Sequence, residues 1–329
     1  MILDKLINIL NKTYKSLFKL RFIEKLIILF SILVFTLIIF NNFEKQEFSA
    51  EGFENSLLSE PNFFEIKKNE EIYDEFYCTY YDSLYLNKSK NLFEIGNILN
   101  LDKNTKDKRV LDIGCGTGHH VNLLTKKNID AIGLDQSKHM IEISKKKYPK
   151  SEFIQGNILN NGIFDYNTFS HILCLGRTIY SIKDKETFFE NAYSLLVQDG
   201  FLIVNLMNKK NYNPFIVSDK NKVLYDPKEY NKSKNIDQMI IKFSDAFEYI
   251  SKYTKNDDII DDNIEPYLTI KEKFQNYNTH SVRKNENNLY ITDIQNIINI
   301  AKSKNFILYK KISMSPVGLN NEFLYIFKK

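Results

Sequence analysis

The chain has 329 residues, is 43% apolar and carries a formal charge of only +4 at pH 7. That length buries one large core with additions, while so small a charge marks no obvious nucleic-acid partner. Cys78, Cys115 and Cys174 are an odd set, so no disulfide framework follows and a reducing compartment is favoured.

In chain order, Leu3, Leu6, Ile7, Leu10, Tyr14, Leu17 and Phe18 repeat at helical spacing, with Lys5, Lys12, Lys15 and Lys19 on other faces. Residues 1–20 are expected to form a basic amphipathic helix lying on an anionic membrane surface. Leu26 to Phe40 carries no charge. Extended through Phe43 it makes an uncharged helix of about 27 Å at ~1.5 Å per residue, just enough to span a bilayer. Residues 21–43 are therefore read as one transmembrane helix. It is retained, because the basic leader is long for a signal peptide and Phe48-Ser49-Ala50 is a poor cleavage site. The lysines before the span and the glutamates after it leave the N-terminus in the cytosol. The unoxidised cysteines argue for the opposite orientation, so the membrane is assigned but not the side. Residues 44–70, acidic and aperiodic, are expected to be a linker.

A domain is expected from residue 71 to 329. Tyr77 to Tyr85 opens it with a run of tyrosines, either an aromatic cap on the core or a cover over a ligand. The most informative stretch is Val110-Leu111-Asp112-Ile113-Gly114-Cys115-Gly116-Thr117-Gly118. An apolar strand ends in an acid and breaks into glycines at alternate positions, where bare backbone can approach a ligand. Val121 and Leu124 then mark a helix, whose first N–H groups suit an anionic moiety. Ala131 to Leu134 forms a second apolar run ending in Asp135, placed to accept from ribose hydroxyls. The dinucleotide fingerprint would put its third glycine at His119. Here the spacing is G-x-G-x-G, and Asp112 suits a ligand with a cationic group better than a pyrophosphate. Further strands are expected at 153–158, 169–175 and 201–204, and an antiparallel pair at 306–313 and 322–327.

These residues resemble the class I S-adenosylmethionine-dependent methyltransferases. Val110 to Gly118 is similar to their first motif and Gly133-Leu134-Asp135-Gln136-Ser137 to their second, with the resemblance covering residues 76 to 329. It implies an α/β, Rossmann-like, seven-stranded, mostly parallel sheet with helices on both faces. It also implies S-adenosylmethionine as cofactor, held by Tyr81, Asp112, Gly114, Cys115, Gly116, Gly118, Asp135, Gln136, Asn157, Ile158 and Leu175. Asn157 stands where the family often has Asp. No metal is expected.

Residues 207–290 contain candidate strands at 239–243, 267–271 and 288–291 and are read as an antiparallel lid over the acceptor. Tyr180 and His280 are the candidate acceptor-side catalytic groups, useful only if the acceptor must lose a proton. The expected function is methyl transfer by a membrane-anchored enzyme to an unidentified small molecule, lipid-associated group or protein. The alternative is a tethered binding or scaffold protein that keeps the fold without turnover. A nicotinamide-dependent oxidoreductase is disfavoured by the glycine spacing. Neither the acceptor nor the oligomeric state is legible.

Overall fold

The computed structural model describes residues 30–31, 64–101, 108–209, 238–256 and 267–329. The chain divides after Glu60, and the described elements all belong to the unit Pro61–Lys329. The expected amphipathic helix, the expected transmembrane helix apart from residues 30–31, and most of the expected linker lie outside the described residues. Among the described residues no helix is long and apolar enough to cross a membrane.

Two sheets organise the unit. The larger contains β2 (Arg109–Ile113), β3 (Asp130–Asp135), β4 (Glu152–Gln155), β5 (Phe169–Cys174), β6 (Leu196–Met207), β11 (Ile307–Met314) and β12 (Leu319–Lys328). Their order is β11-β12-β6-β5-β2-β3-β4. The five strands from β6 to the edge strand β4 run parallel, and β12 and β11 close the other side of the sheet antiparallel. β2, β3 and β5 are apolar along most of their length, as strands covered on both faces must be. Leu111 and Ile113 pack towards α5 (Thr178–Ser181), α6 (Lys185–Leu195) and α7 (Ile294–Ser303). Val110, Ala131 and Leu173 pack on the other face, against α2 (Lys88–Leu99), α3 (His119–Thr125) and α4 (Lys138–Lys147). Side-chain caps start several of these helices. Asn87 accepts from Lys90 N–H, Ser137 from Met140 N–H and Asp184 from Thr187 N–H, each contributing about 1 kcal/mol.

The second sheet joins β1 (Phe64–Lys68) to β7 (Gln238–Ser244), β8 (Phe247–Lys255), β9 (Leu268–Asn276) and β10 (Val282–Leu289), in the order β1-β10-β9-β8-β7. Between the sheets in sequence lies α1 (Glu75–Tyr85), whose Tyr77 and Leu84 pack with Met239, Ile241, Tyr249 and Phe274. Two expectations change here. Residues 64–70 are not linker: β1 pairs parallel with the edge of β10, and a 3-10 turn follows at Asn69–Ile72. The lid is not a purely antiparallel insertion either, because β1 makes the sheet mixed. Phe64 and Ile66 alternate with Glu65 and Lys67 as a strand would. Five residues are too few to separate that pattern from a polar tether.

Candidate functional site

The glycine loop follows β2, and its three glycines have φ of +66°, +52° and +81° at 114, 116 and 118. A Cβ at Gly114 would stand 2.5 Å from Thr178, and one at Gly118 2.5 Å from the Phe153 ring. One at Gly116 would meet only Tyr81, at 3.6 Å. Gly116 is therefore where bare backbone faces open space, and its neighbours serve close packing. The N–H groups of Gly114 and Cys115 both donate to Leu134 O, at 2.8 and 3.1 Å. The loop is pinned to the end of β3.

Asp135 closes that strand. Gly116 N–H donates to its Oδ2 and Ser137 N–H to its Oδ1, each at 2.9 Å. Burial raises its pKa, and the two N–H groups offset part of the rise. Asp112 is 2% exposed. Its Oδ2 is buried without a hydrogen-bond partner, and burial pushes its carboxyl up to about 6. Next to it, Glu94 on α2 is 2.7 Å from Lys90 Nζ and 2.9 Å from His120 Nε2. Burial alone would raise Glu94, but Lys90 and His120 outweigh it and hold its pKa below the ordinary value. His119 shares a 2.9 Å hydrogen bond with Asn91, and burial lowers its pKa to about 4.

Lys90, Asn91, Asp112, Gly116, His119, His120 and Asp135 line one cavity of about 470 Å³. Its far wall is the inner face of the second sheet together with α1. There Glu272, 3% exposed, accepts on Oε1 from the hydroxyls of Tyr85 and Tyr249 at 2.6 Å and of Tyr77 at 2.9 Å. Asn285 Nδ2 donates to Oε2 at 3.0 Å. Burial first, and the Glu272 charge second, push all three phenols well above their usual pKa of 10.0. Tyr73, Tyr81, Asn287 and Tyr290 complete that wall.

α1 is latched over the loop. Thr117 Oγ1 donates to Asp82 Oδ1 at 2.5 Å, Lys147 Nζ donates to Asp82 Oδ2, and Ser137 Oγ donates to Tyr73 O at 2.7 Å. At the start of the helix, Arg283 of β10 holds both oxygens of the N-cap Asp74, at 2.8 and 2.7 Å.

Of the residues expected at the cofactor, Tyr81, Asp112, Gly114, Cys115 and Gly116 line the cavity. So do Asp135, Gln136, Asn157, Ile158 and Leu175. Gly118 does not. It caps α3 in the left-handed region and lies under Phe153, so its role is packing. Leu159 N–H donates to Asn157 Oδ1 at 3.0 Å. The side-chain NH2 of Asn157 is then left to donate to a ligand. Tyr180 is fully buried and off the cavity wall. Its hydroxyl accepts from Met207 N–H at 2.8 Å and donates to Met207 O at 3.3 Å, bracing β6. His280 sits exposed in the turn between β9 and β10, with φ of +59°, away from the cavity. Neither expected catalytic residue lines the cavity.

Sequence reasoning missed Glu272. A signal existed: Leu268, Ile270, Glu272 and Phe274 share one face of an alternating strand, so a carboxylate stands among apolar neighbours. The flanking Lys271 and Lys273 disguised it as an ordinary solvated charge.

The lining fits the cofactor that the resemblance implies. The partnerless oxygen of Asp112 lacks a cationic or N–H donor, Gly116 leaves room for a ligand against the main chain, and Asp135 keeps lone pairs for hydroxyls.

A protein-family model described as a methyltransferase domain matches residues 104–245. The chain is similar to a ubiquinone/menaquinone biosynthesis C-methyltransferase of Campylobacter jejuni, 28% identical over 152 residues, 44% of this chain and 62% of that protein. The aligned part thus spans less than two thirds of that relative's length. Among solved structures, the fold is similar to an S-adenosylmethionine-dependent methyltransferase from Clostridium acetobutylicum (TM-score 0.53, 16% identity, 74% of this chain and 92% of that one). It is also similar to an S-adenosylmethionine-bound amino pentose methyltransferase from Micromonospora echinaspora (TM-score 0.51, 11% identity, 78% and 97%). At these identities the structural likeness concerns the fold alone.

Proposed function

We propose that this chain, which carries a class I S-adenosylmethionine-dependent methyltransferase domain, methylates a small molecule bound at the tyrosine-lined end of its cavity. The observation that carries the reading is that one cavity joins Asp112, Gly116 and Asp135 to Glu272 and its tyrosines. When bound, the cofactor supplies a methyl group on a sulfonium, already activated for transfer. The protein's task is then alignment and the exclusion of water. Asp135 would hold the ribose hydroxyls and Asp112 the amino end, with Asn157 donating to the base and Ile158 and Leu175 flanking it.

An acceptor that loses a proton needs somewhere to send it. The phenols stay neutral at physiological pH, so none serves as a base by itself. Tyr85 and Tyr77 can relay instead: the acceptor's proton passes to a phenol oxygen as that phenol's own proton passes to Glu272 Oε1. The phenol is neutral before and after, and Glu272 ends as the carboxylic acid. A quinol-type acceptor suits this relay and follows the name of the Campylobacter relative. An amino sugar is the second candidate, following the name of the amino pentose enzyme. The uncharged run at 26–43 would keep the enzyme in the membrane, where a lipid-soluble acceptor is concentrated.

The test uses full-length protein in detergent, titrated calorimetrically with S-adenosylmethionine and its demethylated product. Wild type should bind both, and Asp135→Ala should weaken both by at least about tenfold. Transfer of a tritiated methyl group is then measured to a reduced demethylmenaquinone analogue and to an amino-sugar nucleotide. Glu272→Gln should keep cofactor affinity while turnover falls about 10²-fold or more. Failure of wild type to bind would sink the enzyme reading. Binding without transfer to any acceptor in a cell extract would favour the tethered binding protein.

A further inference from the structure

The outer face of the second sheet carries positive charge that its own strands leave unbalanced. Inward positions hold Tyr249, Glu272, Phe274 and Arg283, which are buried. The alternate positions point outward and hold Lys68, Lys242, Lys252, Lys271, Lys273 and Lys284, with Glu248 and Glu286 as the only acids. The whole chain is close to balance, with 45 basic and 41 acidic residues, so composition alone does not account for this face.

Register sharpens the point. Lys284 lies directly opposite Lys273 across β10 and β9, and Lys271 directly opposite Lys252 across β9 and β8. Like charges in directly opposed positions destabilise a sheet. Relief from the chain itself is partial: Glu286 stands directly opposite Lys271 and Glu248 directly opposite Lys242, two acids against six lysines. Lys68 reaches Glu286 at 3.8 Å, and Lys284 lies over the Phe64 ring at 4.9 Å. Among the described residues, Lys242, Lys252, Lys271 and Lys273 form no ion pair. Apolar side chains complete the rows: Ile66 stands beside Lys284, and Ile250, itself opposite Ile240, stands beside Lys273. Phe64 is 57% and Ile66 49% exposed.

We propose that this face lies on an anionic lipid surface. Opposed lysines are neutralised by a layer of anionic headgroups, and exposed Phe64 and Ile66 enter the acyl boundary beside them. Nucleic acid fits less well. The outward positions carry no arginine to grip phosphates bidentately, and exposed aliphatic side chains gain nothing from a phosphate backbone. The chain's order agrees, since β1, which carries Phe64 and Ile66, is the first described strand after the uncharged run that closes at Phe43. The inference deepens the membrane part of the reading above, is tested separately from the anchor and is independent of methyl transfer.

Full-length protein is mixed with phosphatidylcholine vesicles, with or without phosphatidylglycerol, and lysine acetylation by an activated ester is followed by peptide mass spectrometry. Phosphatidylglycerol should slow acetylation of Lys252, Lys271, Lys273 and Lys284 about threefold or more, and the effect should vanish at high salt. Exposed Lys302 and Lys310 should react equally in both. In the triple variant Lys271→Glu, Lys273→Glu, Lys284→Glu, protection of Lys252 should be lost while calorimetric binding of S-adenosylmethionine is kept. Equal reactivity of the face in the two kinds of vesicle overturns the proposal, even if the protein floats with both and the anchor stands. Protection without flotation on neutral vesicles supports this surface and removes the anchor. Equal protection by a duplex or single-stranded oligonucleotide overturns the lipid assignment.

Discussion

Asp112 shows how one residue ties electrostatics to function. Buried at the end of β2 with one oxygen unpartnered, it titrates at about 6 in the folded protein against an ordinary 3.8. Because the folded value is the higher one, burying the charged carboxylate destabilises the fold above about pH 6, and that penalty is relieved as the pH falls towards 4. Binding of a cationic amino end runs the other way, since only the carboxylate attracts it. We expect the dissociation constant for S-adenosylmethionine to be flat above pH 7 and to rise about tenfold per unit below pH 6. Calorimetry across that range checks this, and Asp112→Asn should bind more weakly and lose the pH dependence. A steep wild-type profile retained in the variant would assign the titration to another group. Asp112, Gly116 and Asp135 were legible in the sequence because backbone approach and strand-end acids leave local marks. Glu272 and its tyrosines were not, because α1, β8 and β9 meet only through tertiary contact.

At the scale of elements, the glycine loop divides its labour. Gly114 and Gly118 allow Thr178 and Phe153 to close in, and Gly116 faces the cavity. Gly118→Ala should therefore destabilise the domain by about 2–4 kcal/mol through both positive φ and overpacking against Phe153. Gly162 has φ of +85° with nothing within 4 Å of its would-be Cβ, so Gly162→Ala should cost only about 1 kcal/mol. Urea denaturation of both variants separates the clash from the backbone strain, and equal losses would refute the close-packing role. The parallel strands could be read because strands buried on both faces are continuous apolar runs. β1 could not, being five alternating residues at a sheet edge, and β8 could not, because its apolar positions are interrupted by polar ones along an interior strand. Tyr180 and His280 were chosen for position in the chain. The structure turns one into a brace for β6 and leaves the other in an exposed turn.

For the molecule as a whole, the second sheet and α1 have to be held together before the tyrosine-lined end of the cavity exists. Arg283, 1% exposed, does much of this, binding Asp74 twice, Ile72 O at 2.9 Å and Asn285 Oδ1 at 2.9 Å. Arg283→Met should lower the melting temperature by about 4–10 °C, and Asp74→Ala by more, because it leaves a buried guanidinium without its carboxylate. Scanning calorimetry gives the order, and the reverse order would mean that the carboxylate is not the partner that matters. By itself the sequence determined the parallel sheet, the glycine loop, the acids that end two of its strands and hence the cofactor. Each of these is written in contiguous residues, as an apolar run, a break and a charge. Only the tertiary structure decided which carboxylate stands at the tyrosine-lined end of the cavity, that β1 joins the second sheet, and that opposed lysines share one outer face. Those depend on strand register and on contacts between residues up to 219 positions apart, about which no local pattern carries information.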